Sequence, residues 1–266
     1  MKKTLALLVA AATLALPVSA MAHRAWIAPT STVLSGPEAW VGFDAGLSNG
    51  VFIADHAAMN LTGLRITAPD GTSVEPQNIH RAHYRSSFDV HLTQQGTYKI
   101  ANVMSGTMAS WTENGEQKRW RGPASELSAN VPAGGADLSV TQTFNRIETF
   151  VTLGALTTTV FTDPGEGLVM IPITHPTDLV ADEEARFRLS FNGQPAAGIE
   201  VTVARGGSRY RDAPEEFTTN TGADGTFTLN FAEPGLHWIN AQVRNPANGD
   251  TPATNAQHVG VVEVLP

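Results

Sequence analysis

Histidine carries most of the ligand chemistry this chain can offer. It has eight histidines and no cysteine. Imidazole suits nickel, cobalt, copper and zinc, whereas sulfur-based zinc ribbons and iron–sulfur clusters are excluded. Five of the eight, His23, His56, His80, His83 and His91, fall within one early stretch. His23 stands apart because residues 1–22 read as a secretory signal peptide. Lys2 and Lys3 form its basic start, Leu5 to Leu16 its apolar run, Pro17 the break and Ala20-Met21-Ala22 the small-x-small cleavage site. Cleavage after Ala22 would make His23 the first residue of the mature chain. Its α-amine and Nδ1 could then close a six-membered chelate ring, which no internal histidine can do. A cut after Ala20 would instead leave Met21-Ala22-His23, a third-position histidine that ligates copper or nickel through the intervening amides.

His56, beside Asp55, is the best second ligand. In the segment Ser86–Leu92, alternation puts Phe88, Val90 and Leu92 on one face and Ser87, Asp89 and His91 on the other. Asp89 and His91 thus form a candidate pair, as ligands or as a ligand with its orienting carboxylate. His80 and His83 flank Arg81-Ala82 in a turn-like stretch. The expected site is one late transition ion on His23 and His56, with Asp89, His91, His80 or His83 completing the shell. Solvated surface histidine is the competing reading for each residue taken singly. His175, before Pro176, reads as a structural turn residue, His237 as an interior or edge residue, and His258 as one that approaches a domain interface.

Other chemistries find little support. The five tryptophans are too scattered for a sugar-binding platform, although Trp111 and Trp120 fall in a polar loop where one could meet a partner. No nucleophile elbow, P-loop, HExxH or paired-cysteine motif occurs, which argues against an enzyme. The glycine pairs Gly134-Gly135 and Gly206-Gly207 lack a strand–helix frame for phosphate.

The elements that must position these residues are strands. Short runs rich in Val, Ile, Thr and Phe alternate with Gly, Pro, Asn and Asp. Candidates are Ala25–Ile27, Glu38–Asp44, Gly63–Ala68, Ser86–Leu92, Gly96–Val103, Thr143–Leu153, Leu168–Pro172, Glu184–Phe191, Ile199–Arg205, Gly225–Phe231, Gly235–Val243 and Val259–Val264. Asp70-Gly71 and Asp224-Gly225 fit hairpin turns, and Asn192-Gly193-Gln194-Pro195 fits a turn between two strands. Ala57–Leu61 reads as one helical turn and Asn114–Gly135 as a long polar loop. A boundary near Thr162–Gly167 divides the mature chain into residues 23–163 and 164–266. The expected fold class is all-β, with two tandem antiparallel β-sandwiches of immunoglobulin-like type.

Composition bounds the partners. The chain carries 17 basic and 25 acidic residues, a net charge of −8. Loss of Lys2 and Lys3 takes the mature chain to −10. That argues against nucleic acid and anionic membrane surfaces as partners. The apolar run at the start is about half the length a membrane helix needs, so removal rather than membrane insertion is expected. Without disulfides in an oxidising compartment, the fold must rest on its cores.

Several of these residues together resemble a known family. They are His23 followed by Trp26 and Pro29, then Asp55-His56, Pro69-Asp70-Gly71 and Gly96-Thr97-Tyr98. The second half adds Leu168–Pro172, His175-Pro176, Asn192-Gly193-Gln194-Pro195, Gly198-Ile199-Glu200-Val201, Thr221 to Gly225-Thr226-Phe227, and Pro234-Gly235-Leu236. The chain resembles periplasmic proteins classed as a domain of unknown function and often described as periplasmic components of nickel or cobalt uptake systems. The resemblance implies two β-sandwiches and a role in transition-metal handling, with a membrane transporter or outer-membrane receptor as partner. The family usually has an acidic or small residue after the first histidine. This chain has Arg24, whose charge would weaken metal binding unless its side chain points away. The expected function is periplasmic binding and delivery of nickel or cobalt, with copper favoured by raw affinity. The alternatives are an interaction module with incidental histidines, or a copper monooxygenase built on an amino-terminal histidine.

Overall fold

The computed structural model describes residues 23–212, 215–249 and 251–266. The expected signal peptide, residues 1–22, lies outside the described residues.

The chain is all-β, and its strands form three sheets. A five-stranded sheet runs in the order Arg24–Pro29, Ala39–Ser48, Ser86–Leu92, Gln77–Arg81, with Ala57–Ala58 added beside Ala39–Ser48. An eleven-stranded central sheet is built around Glu200–Arg205, Gly235–Asn245, Ala253–Leu265, Ala136–Leu153 and Gly96–Glu113. A four-stranded sheet joins Leu168–Pro172, Glu184–Phe191, Gln194–Pro195 and Thr226–Asn230.

Two β-sandwiches result, and they share the central sheet. One core packs the five-stranded sheet on it through Trp26, Ile27, Phe43, Phe88, Val90, Ile100 and Val151. The other packs the four-stranded sheet on it through Phe187, Leu189, Val201, Val203 and Phe227. Single strands feed both cores. Val259 and Val261 enter the first core, whereas Ala256, Val262 and Val264 enter the second. Trp238 enters the first, whereas Ile239, Ala241 and Val243 enter the second. Burial on both faces explains the near-continuous apolar run at Val259–Val264. Most pairings are antiparallel, but Ala136–Leu153 and Ala253–Leu265 pair in parallel over Thr141↔Ala253 to Thr149↔Val261. That parallel seam joins the two halves of the chain.

Three local expectations are corrected. Asn114–Gly135 is not a continuous loop. Asn114 and Gly115 both have positive φ (53° and 80°) and turn Gly96–Glu113 back into a paired strand, Glu116–Gly122. That is the two-residue turn geometry of a hairpin. A short helix, Leu127–Asn130, follows, and Trp111, Val131 and Ala109 form a small third core under this arm. Ala57–Leu61 is not a helical turn, because Ala57 and Ala58 pair with Leu47 and Gly46 as strand. Asp224-Gly225 does not close a hairpin. It links Glu216–Asn220 in the central sheet to Thr226–Asn230 in the four-stranded one.

Candidate metal centre

His23 immediately precedes the first strand, so whatever fixes that strand fixes the site. Two buried indoles do this. Trp26 Nε1–H donates to Ser48 Oγ at 2.8 Å, and Trp238 Nε1–H donates to the carbonyl of Ala25 at 2.8 Å. Trp26 lies across Gly46, its register partner, and a Cβ at Gly46 would come within 2.9 Å of the indole. Glycine there is a packing requirement.

His56 arrives from the other side of the same strand. Ala39–Ser48 pairs with the first strand through Arg24↔Ser48 and with the Ala57–Ala58 segment through Leu47↔Ala57. The intervening loop is held by Asp55, whose Oδ1 accepts the Asn49 N–H at 2.9 Å. The two exposed imidazoles meet in a stack, with ring centroids 3.4 Å apart and planes 7° from parallel. Near-parallel stacked rings send their nitrogen lone pairs along two separate planes rather than at one point. Joint ligation of one ion therefore requires one ring to turn about its side-chain torsions, a motion open to exposed histidines.

Arg24 points away from this pair. Successive residues of an extended chain leave on opposite faces. The Arg24 guanidinium lies 5.2 Å from the Trp238 ring centroid, and its Nη2 donates to Glu216 Oε1 at 2.6 Å. Its charge is thus compensated by Glu216 on the far side of the strand from His23.

The remaining candidates stand elsewhere. Ser87, Asp89 and His91 alternate with buried neighbours as expected. Asp89 Oδ2 accepts from Asn78 Nδ2 at 2.7 Å. His91 Nε2 meets Glu38 Oε2 at 3.1 Å, and its ring stacks on Trp40 at 4.4 Å. His80 is exposed in Gln77–Arg81, and His83 packs its ring edge-on to Tyr84. Among the described residues, no group of three His, Asp or Glu side chains gathers where it could hold an ion. Of the six expected ligands, the structure brings together His23 and His56.

The internal histidines serve the fold. His175 bonds Thr97, Thr157 and Thr177 between the two halves, and burial lowers its pKa. His237 is buried with Nδ1 bonded to the Gly235 carbonyl, and its pKa is lowered mainly by burial. His258 is 1 % exposed and accepts the Met170 N–H at Nδ1. Burial lowers its pKa to about 4, against the opposing pull of Glu148.

Beside His23 opens a cleft of about 660 Å³ between the first sandwich and the arm. Its lining includes the thioether residues Met59 and Met104 and the polar residues Asn102 and Arg121. None of these had a signal of its own in the sequence. Arg121 fell within the stretch that reads as a loop, and the methionines are isolated.

The chain matches the model of a domain of unknown function, DUF4198, over residues 20–245. No curated protein matches it. Among solved structures it is similar to the D0–D1 domain of intimin at 12 % identity and a TM-score of 0.24, over 90 % of this chain and 97 % of that one. It is also similar to trypsin-activated α2-macroglobulin from Escherichia coli at 12 % identity and a TM-score of 0.24, over 92 % of this chain and 16 % of that one. A third similar structure is a DUF4785 family protein from Legionella pneumophila, at 8 % identity and a TM-score of 0.25, over 81 % of this chain and 50 % of that one. Likenesses this low carry no functional weight. The family match spans most of the chain, which therefore belongs to the DUF4198 domain family.

Proposed function

We propose that the exported, processed protein binds a divalent late transition ion, nickel or cobalt with copper or zinc as competitors, and delivers it to an uptake system without catalysing a reaction. The observation that supports this reading is the contact between His23 and His56. Signal cleavage after Ala22 would add the α-amine of His23, giving three nitrogen donors from two residues. Such a set suits these borderline metals. Compensation of Arg24 by Glu216 removes the nearest cation from the donor side. The competing reading, an interaction module with incidental histidines, draws on the lack of a third His, Asp or Glu beside the pair among the described residues.

Intact-mass measurement of the protein purified from an exporting host, with and without added nickel, tests the reading. A mature mass beginning at His23 that gains one ion supports it. A chain that gains no ion refutes it, and one that starts elsewhere but gains an ion removes the His23 amine from the site.

A further inference from the structure

We infer that the cleft beside His23 binds a small polycarboxylate, so that the ion is held as a metal–carboxylate chelate rather than bare; this rests on the metal reading above. An ion bound by three nitrogens needs no cleft, yet about 660 Å³ opens next to the histidine. That volume is in the range of small-molecule sites.

The charge of the lining selects the ligand class. The protein as a whole is acidic, but among the described residues no Asp or Glu lines the cleft. Its one permanent cation among the described residues is Arg121, exposed on the return strand of the arm. Arg121 makes no ion pair among the described residues, and its Nη2 contacts the sulfur of Met108 at 3.5 Å. A guanidinium without a carboxylate partner is a ready two-pronged carboxylate receptor. Amides line the cleft at Asn145 and Gln257 and offer neutral polar contacts. A polycarboxylate can thus place one carboxylate on Arg121 and leave others to fill the metal positions that His23 and His56 do not occupy.

Equilibrium dialysis of the mature protein against radiolabelled citrate, with and without nickel, tests this. Citrate competes for nickel in solution, so a protein without a citrate site loses its metal as citrate is added. The expected result is retention of citrate and nickel together at one to one, with much weaker retention of citrate alone. Arg121→Gln should weaken citrate retention about tenfold, the scale of one lost charge-assisted contact, and leave binding of nickel alone unchanged. Nickel binding that citrate strips away, with no citrate retained, overturns the chelate proposal and leaves the metal reading standing. Absence of nickel binding in every arm overturns both.

Discussion

His23 and His56 stack at 3.4 Å although 32 residues separate them in the chain and each flanks a different side of the Ala39–Ser48 strand. The strand acts as the spacer. Its register with Arg24 on one side and Ala57 on the other puts both imidazoles over its end. A site made this way depends on the seating of the amino-terminal strand, which two tryptophans secure.

Trp238→Phe keeps an aromatic ring in the core, though a smaller one, and removes the N–H that satisfies the Ala25 carbonyl. We expect a loss of about 1–3 kcal/mol, the cost of one unsatisfied buried acceptor, read as a lower urea midpoint at unchanged slope. Metal affinity should fall with it, because the strand carrying His23 loses an anchor. A variant as stable as the parent would show that the bond contributes nothing.

Acid should weaken the fold through its buried histidines. His258 titrates at about 4 in the folded protein because burial disfavours its charged form, against about 6.5 when unfolded. Its folded pKa is depressed, so the unfolded state takes up the proton first. Stability is fully present above pH 6.5 and is lost as pH falls toward 4, by roughly 3 kcal/mol for this group. His175 and His237, also lowered by burial, act in the same direction. Urea denaturation at pH 7, 6, 5 and 4 measures the slope, which His258→Asn should flatten. A parent profile without a decline in that window contradicts the assignment.

His91 is engaged by Glu38 and Trp40, and His237 is buried in the second half of the chain. His91→Ala and His237→Ala should therefore leave nickel affinity within twofold of the parent, whereas His56→Ala should lower it at least tenfold. Calorimetry on folded variants decides this, and a large loss in His91→Ala would move the site to the Ser86–Leu92 strand.

Much of the strand framework was legible because half-buried strands announce themselves by alternation. Ser86–Leu92 reads correctly to the residue, and Asn192-Gly193 reads as the turn it is, joining Phe191 to Gln194. The arm was not read, although Asn114-Gly115 is the same turn signal. Its return strand, Glu116–Gly122, has no buried residue, so no apolar alternation marks it. The start of Ala253–Leu265 was missed for a related reason, because polar Thr254, Asn255 and Gln257 hide the pattern that Val259 begins. Sharing of one sheet by both sandwiches depends on a parallel pairing of strands more than 100 residues apart, which leaves no local trace. His23 and His56 were legible as candidate ligands from ligand chemistry and family resemblance, though their stacked contact was not. The cleft and Arg121 were not, since they exist only once the arm folds over the first sandwich.

Metal binding as proposed requires the free amine of His23 to act together with His56. Calorimetric titration with nickel and with copper of the mature protein and of a version with one alanine ahead of His23 tests it most directly, because the extension keeps every side chain and blocks the chelate. Amine and imidazole must both be deprotonated to bind, so protons compete with the ion. We predict one ion per mature chain, an affinity that drops steeply below neutral pH, and a loss in the extended protein as large as that in His23→Ala. Equal affinity in the mature and extended proteins would contradict the account.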